Sequence, residues 1–188
     1  MQIKVFISHA SANKEIAEKL AKAIKNGFLL NSNEIICTSV EGHGLPCSKD
    51  DFYGQLKKAI EEAFVVIYLI SEEFCRSEDC LYELAWGKGK DSQIYFHLES
   101  ARSTQKPQLL KLTNMLIMDD AGISTLATAL RNGLHKEKDD FEWTTHTQLA
   151  IRETKKYQRE KEILRLSLEI DTQIKDLQKY LEKISPDK

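Results

Sequence analysis

The sequence has no Gly-x-x-x-x-Gly-Lys-Ser/Thr phosphate loop and no Gly-x-Gly-x-x-Gly fingerprint, so the two commonest backbone cradles for nucleotide phosphates are missing. It has no Gly-x-Ser-x-Gly elbow either, which argues against an esterase. No apolar run approaches the roughly 20 residues needed to cross a bilayer. No charged-then-apolar leader precedes the strand-like start at Ile3 to Ser8, so the chain is expected to be unexported and cytoplasmic. An excess of one charge is lacking too. The chain carries 27 Lys and Arg against 29 Asp and Glu, a net of −2, and no global field draws it to nucleic acid or an anionic membrane. Neither is expected as a partner. None of the four cysteines (Cys37, Cys47, Cys75, Cys80) forms a Cys-x-x-Cys pair, and reduced thiols in a cytosolic protein fit best. The five histidines are scattered along the chain, and no metal site is expected.

What is present is ordinary in bulk and specific in order. The 188 residues are 41% apolar and 30% charged, which suits one globular domain with an appendage. The first 130 residues alternate strand and helix patterns. Lys4 to Ser8 reads as a strand. Residues 13 to 25 place Ile16, Ala17, Leu20, Ala21 and Ile24 on one helical face, and Asn26-Gly27 ends that helix. A second strand (Glu34 to Thr38) leads into a Gly- and Pro-rich loop, Ser39 to Ser48. A helix from about Asp50 to Ala63, a buried strand from Phe64 to Ser71, and a strand near Gln93 to Leu98 follow. A weak strand at Met115 to Met118 precedes a helix from about Ile123 to Arg131. This alternation predicts an α/β fold, a flavodoxin-like five-stranded parallel sheet in the order two-one-three-four-five with helices on both faces. That order reverses direction between strands one and three. The loops expected there, Ser8 to Ser11 and Ser71 to Ser77, flank the crevice where such folds place ligands.

Glu83 follows the second of these loops. Ser77 reads as the N-cap of its helix, which puts a carboxylate near a helix start just past a buried strand. The plainest alternative is a solvated residue pairing with Lys88 or Lys90. Cys80 reads as a small buried residue, and Trp86 as a helix–sheet contact. Beyond this, residues 134–147 turn charged and polar and read as a linker. Residues 148–186 read as a C-terminal amphipathic helix closed by Pro186. From Ile170 its apolar residues (Ile170, Ile174, Leu177, Leu181, Ile184) alternate four and three apart, the spacing of a coiled-coil seam, while Glu160 and Ser167 interrupt it upstream. Such a helix either joins copies of the chain or folds back on its own domain.

Three stretches together resemble a bacterial Toll/interleukin-1 receptor (TIR) domain. They are Val5-Phe6-Ile7-Ser8-His9-Ala10-Ser11; Ile36-Cys37-Thr38-Ser39 with Gly42-His43-Gly44-Leu45-Pro46 and Asp51-Phe52; and Leu69 to Phe74 with Ser77-x-x-Cys80-x-x-Glu83-Leu84. The resemblance implies a TIR fold over residues 1–133. It implies cleavage of NAD+ at the nicotinamide–ribose bond by a glycohydrolase or cyclase, with NAD+ as substrate and no cofactor. It further implies activation by self-association with other TIR domains, as a homo-oligomer, in bacterial antiviral defence signalling. Glu83 takes the place of the catalytic glutamate. Ser8, His9, Thr38, Gly44, Leu45, Pro46, Ser71 and Asp79 fall at substrate-binding positions, with the Gly42–Pro46 loop as a lid. Asp79 stands where related sequences often carry Trp. The same resemblance also implies an alternative, a non-enzymatic TIR–TIR interaction module acting as an adaptor or as a decoy of host signalling.

One carboxylate suffices for the chemistry implied. Nicotinamide departs from NAD+ as a neutral base and needs no general acid, unlike the leaving oxygen of most glycosides. What remains is an electron-poor ribose, which a fixed carboxylate stabilises. Asp79, one helical turn earlier, is expected to raise the pKa of Glu83 by like-charge repulsion.

Overall fold

The computed structural model describes residues 3–38, 51–98 and 114–184, with side chains to residue 181. Five strands, β1 (Val5–His9), β2 (Ile35–Ile36), β3 (Val65–Ile70), β4 (Gln93–His97) and β5 (Leu116–Ile117), form one parallel sheet in the order β2-β1-β3-β4-β5. This is the order expected from the alternation of patterns. Every residue of β1 and β3 is buried, because a parallel sheet is covered on both faces and its central strands meet no water.

Strand parity divides the core in two. Val5, Ile7, Val65, Ile67 and Leu69 point to one face, which is covered by α1 (Lys14–Gly27), α5 (Asp120–Leu134) and the start of α6 (Asp140–Ile184). Phe6, Val66, Tyr68 and Ile70 point to the other, under α2 (Phe52–Glu62), α3 (Glu72–Arg76) and α4 (Glu78–Gly87).

Two expectations change. The segment from Ser71 to Ser77 is not a plain loop but contains α3. Ser71 caps it, its Oγ accepting from Phe74 N at 3.0 Å, and Glu72 and Glu73 complement the helix start. Ser77 then caps α4 as expected, accepting from Cys80 N at 3.3 Å. The second change concerns residues 140–147, expected as linker. They are the first two turns of α6, a helix of 45 residues. Asp139 caps it by accepting from Glu142 N at 3.0 Å. Trp143, Ala150, Ile151 and Tyr157 join the core against α1. The Trp143 ring meets Phe28 edge-on at 5.4 Å. It also lies so close to Gly27 that a Cβ there would sit 2.9 Å from the ring, so the end of α1 requires glycine.

Of the two fates weighed for the tail, folding back on the domain is seen, and for the first half of the helix only. From Ile163 to Leu181 the large apolar side chains are exposed.

Candidate active site

Sheet parity decides which of the expected residues meet. Ser8 shares the face of Phe6 and lies at the C-terminal end of β1, in register with Tyr68 of β3. On that face α4 brings its second turn over the strand ends. Glu83 is buried there, 5% exposed, and Ser8 Oγ donates a short hydrogen bond to its Oε2. Tyr68 Oη donates to the Glu83 carbonyl oxygen at 3.3 Å. Tyr68 reaches it because position 87 is glycine: a Cβ there would lie 1.8 Å from the phenol oxygen. Glu83 is therefore held from two sides and is not the solvated helix residue paired with Lys88 or Lys90 that was the alternative.

Burial of a carboxylate disfavours its charged form. The carboxyl of Glu83 is pushed up to about 7, chiefly by burial; the Ser8 hydrogen bond pulls it down, and the charge of Asp79 raises it further. The like-charge effect expected of Asp79 is present, but it is smaller than desolvation. Asp79 itself is exposed, and its Oδ1 accepts from Tyr53 Oη at 2.8 Å. Tyr53 belongs to an aromatic ladder across α2 and α4. Its ring centre is 5.7 Å from Phe52 and 6.4 Å from Trp86, and Trp86 stacks on Tyr82 at 5.9 Å. An aromatic ring thus stands beside Asp79, contributed by the neighbouring helix.

His9 points to the opposite face. Its Nδ1 lies 3.7 Å from Cys37 Sγ, and both residues are buried. Burial holds the imidazole below its usual pKa; a hydrogen bond donated to the Ile7 backbone opposes this, and the charge of Lys14 adds to it. His9 is therefore neutral near pH 7. Burial drives the Cys37 thiol up, with help from the Glu83 charge, so it is no thiolate nucleophile. Cys80 is likewise buried, its thiol pushed up to about 12.

Ser71 joins a residue that the sequence reading missed. Its Oγ donates to Asn13 Oδ1 at 2.7 Å, and both side chains are buried. Asn13 sits in the 3-10 turn Ser11–Asn13 that precedes α1. Among the described residues, His9 Nε2 and Asn13 Nδ2 are buried nitrogens without a hydrogen-bond partner. Unsatisfied buried nitrogens are rare in folded proteins, and these two lie beside the C-terminal ends of β1 and β3. The signal available in the sequence was the position of Asn13 in the first turn after the β1 loop. Thr38 follows β2 and is half-buried. Gly44, Leu45 and Pro46 lie outside the described residues.

The family model for the TIR domain matches residues 5–120, from the first residue of β1 through β5. The chain belongs to the TIR domain family. The match takes in Ser8, Ser71, Asp79 and Glu83 and ends before α6. This TIR protein is also 31% identical over 84 residues to an uncharacterized protein, YddK, of Bacillus subtilis (strain 168). That alignment covers 45% of this chain and 31% of the relative's length. The family includes NAD+ hydrolases, and its domains interact with one another. Among the described residues, no helix is long and apolar enough to cross a membrane.

Proposed function

We propose that this TIR domain cleaves the nicotinamide–ribose bond of NAD+, with Glu83 as the catalytic carboxylate. The observation that carries the reading is a buried carboxylate fixed by a strand-end hydroxyl beside the point where strand order reverses. As the C–N bond breaks, its electron pair leaves with the nicotinamide nitrogen, which becomes neutral. The positive charge passes to the ribosyl C1′ and its ring oxygen. Ionised Glu83 stabilises that charge with little reorganisation, because Ser8 already orients it. Water then captures C1′ to give ADP-ribose and a proton, or a group within the same nucleotide captures it to give a cyclic product.

Ser8, His9, Thr38, Ser71 and Asp79 are the substrate-positioning residues of this reading, with the Gly44-Leu45-Pro46 loop as lid. The unpaired His9 Nε2 and Asn13 Nδ2 suit hydroxyl or amide groups of a nucleotide. No resident cofactor is required. The cellular role we assign is bacterial antiviral defence signalling from the cytoplasm, switched on when TIR domains associate.

A second reading, an interaction module without turnover, draws on the exposed ladder of Phe52, Tyr53 and Tyr82, since exposed aromatics are favoured at protein interfaces. One assay separates the two. Purified chain at high concentration is incubated with NAD+, and free nicotinamide is measured. Release by wild type and its loss in Glu83→Ala support the enzyme. No release, or equal release by the variant, sinks it.

A further inference from the structure

The second half of α6 exposes a row of large apolar side chains: Ile163 (68% exposed), Ile170 (56%), Ile174 (48%), Leu177 (62%) and Leu181 (63%). The first half buries Trp143, Thr147, Ala150, Ile151, Thr154 and Tyr157 on the domain. At 3.6 residues per turn, the mean directions of these two rows differ by about 180°. The exposed row therefore faces away from α1, and among the described residues no continuation of the same packing covers it. The helix is also tied to the body where it leaves. Lys156 Nζ lies 3.4 Å from Glu15 Oε2, Tyr157 Oη donates to Glu73 Oε2 at 2.7 Å, and Gln158 Nε2 donates to the Leu98 carbonyl at 2.9 Å. Lys161 pairs with Glu73 as well.

We propose that residues 163–184 join copies of this chain in a parallel bundle of three or four helices. The charge pattern selects the occupant. This stretch carries four basic and four acidic side chains, so copies do not repel one another, and neither an anionic membrane nor a strongly charged partner is favoured. The seam selects the number. Counted as heptads, Ser167, Ile174 and Leu181 occupy a, and Ile163, Ile170, Leu177 and Ile184 occupy d. Isoleucine at d, with Ile or Leu at a, favours three or four strands over two. The flanking e and g positions are Leu164, Leu166, Gln173, Gln178 and Tyr180, with Asp171 the only charge. That widens the apolar face beyond what a two-stranded seam buries.

Register selects the orientation. In a parallel bundle Ser167 meets its own copies in one polar layer, whereas an antiparallel pairing sets it against an apolar residue. Because the seam faces away from α1, the TIR bodies stand outside the bundle at one end without obstructing it. The inference concerns the helix alone and holds with or without NAD+ turnover.

Light scattering on the full chain, from about 1 to 100 µM, tests it. The expected mass is three or four times 21.6 kDa. Ile170→Asn/Ile174→Asn/Leu177→Asn is expected to return it to a single chain with unchanged near-ultraviolet dichroism, since these side chains touch no core. Leu177→Cys is expected to give an intermolecular disulfide absent from wild type, as a parallel d layer requires. A wild-type monomer or dimer at 100 µM overturns the proposal. So does an unchanged mass in the triple variant, or failure of the Leu177→Cys cross-link.

Discussion

Glu83→Gln tests whether this carboxylate is held at a cost to the fold, as a working residue is, or supports it, as a structural one does. Gln keeps the size of Glu and an oxygen to accept the Ser8 hydrogen bond, but removes the charge. In the folded chain the carboxyl is pushed up to about 7; unfolded, it titrates near 4.3–4.5. A raised folded pKa means that the native state binds the proton more tightly. That contribution is full below about pH 4.5 and is lost as pH rises to about 7. At 1.36 kcal/mol per pH unit, wild type at pH 8 therefore carries a burden of about 3 kcal/mol that the amide does not. At pH 5 the burden is under about 1 kcal/mol. For a chain of this size, about 3 kcal/mol corresponds to roughly 6–12 °C in melting temperature. Thermal melts of both proteins at pH 5 and pH 8 are expected to show Glu83→Gln gaining several degrees at pH 8 and little at pH 5. Nicotinamide release by the variant is expected to vanish at both. An equal shift at the two pH values, or destabilisation at pH 8, would refute the assignment of a buried, costly carboxylate.

On the proposed reading, the same ionisation sets the rate. With Glu83 active as the carboxylate, kcat/KM for NAD+ is expected to fall tenfold per pH unit below about 7 and to level off above it; a flat profile from pH 5 to 8 excludes it. In Ser8→Ala the limb is expected to move up by about one to two pH units, because a hydrogen bond to a charged group contributes about 1.5–3 kcal/mol. Asp79→Asn is expected to move it down, and the pH profile of each variant is the check. Trp143→Ala removes a buried ring from the α1–α6 contact and is expected to cost about 3–5 kcal/mol, read from urea denaturation of the full chain. Leu29 is 75% exposed and held at φ 50°, a conformation that costs a side-chain-bearing residue about 1 kcal/mol. Leu29→Gly is expected to raise stability by about that amount in the same experiment.

Much of the fold is legible in the sequence because a covered parallel sheet writes itself as apolar runs. Val65 to Ile70 has no polar letter except the Tyr68 hydroxyl, and α1 repeats its apolar face with helical spacing. The start of α6 is hidden for a physical reason. Its core-facing stripe includes Thr147 and Thr154, polar by type, yet each satisfies its hydroxyl on the helix's own backbone, donating to Trp143 O at 2.8 Å and Ala150 O at 2.9 Å. A threonine so bonded is buried without leaving its hydroxyl unpaired. Residues such as Thr144, Thr145 and His146 between them made the segment read as linker. Asp139 was the available signal, an N-cap four residues before Trp143. The short α3 is hidden for another reason. It is five residues long, too short for apolar periodicity, and is set by the Ser71 cap.

The candidate site was legible as a set of residue types but not as an arrangement. Ser8 and His9 are neighbours in the chain, and both fall at the end of β1. Consecutive strand residues point to opposite faces, so Ser8 turns to Glu83 under α4 while His9 turns to Cys37 on the side of α1. The residue above His9 on the next strand, Leu69, shares its side, and Ser71 two residues on meets Asn13 there. The charged half of the site and the uncharged half thus lie on either side of the sheet's C-terminal edge. A ligand that contacts Glu83 and also satisfies His9 Nε2 or Asn13 Nδ2 has to cross the end of β1. On the proposed reading, the two sugars, two bases and bridge of a dinucleotide supply the length for that crossing.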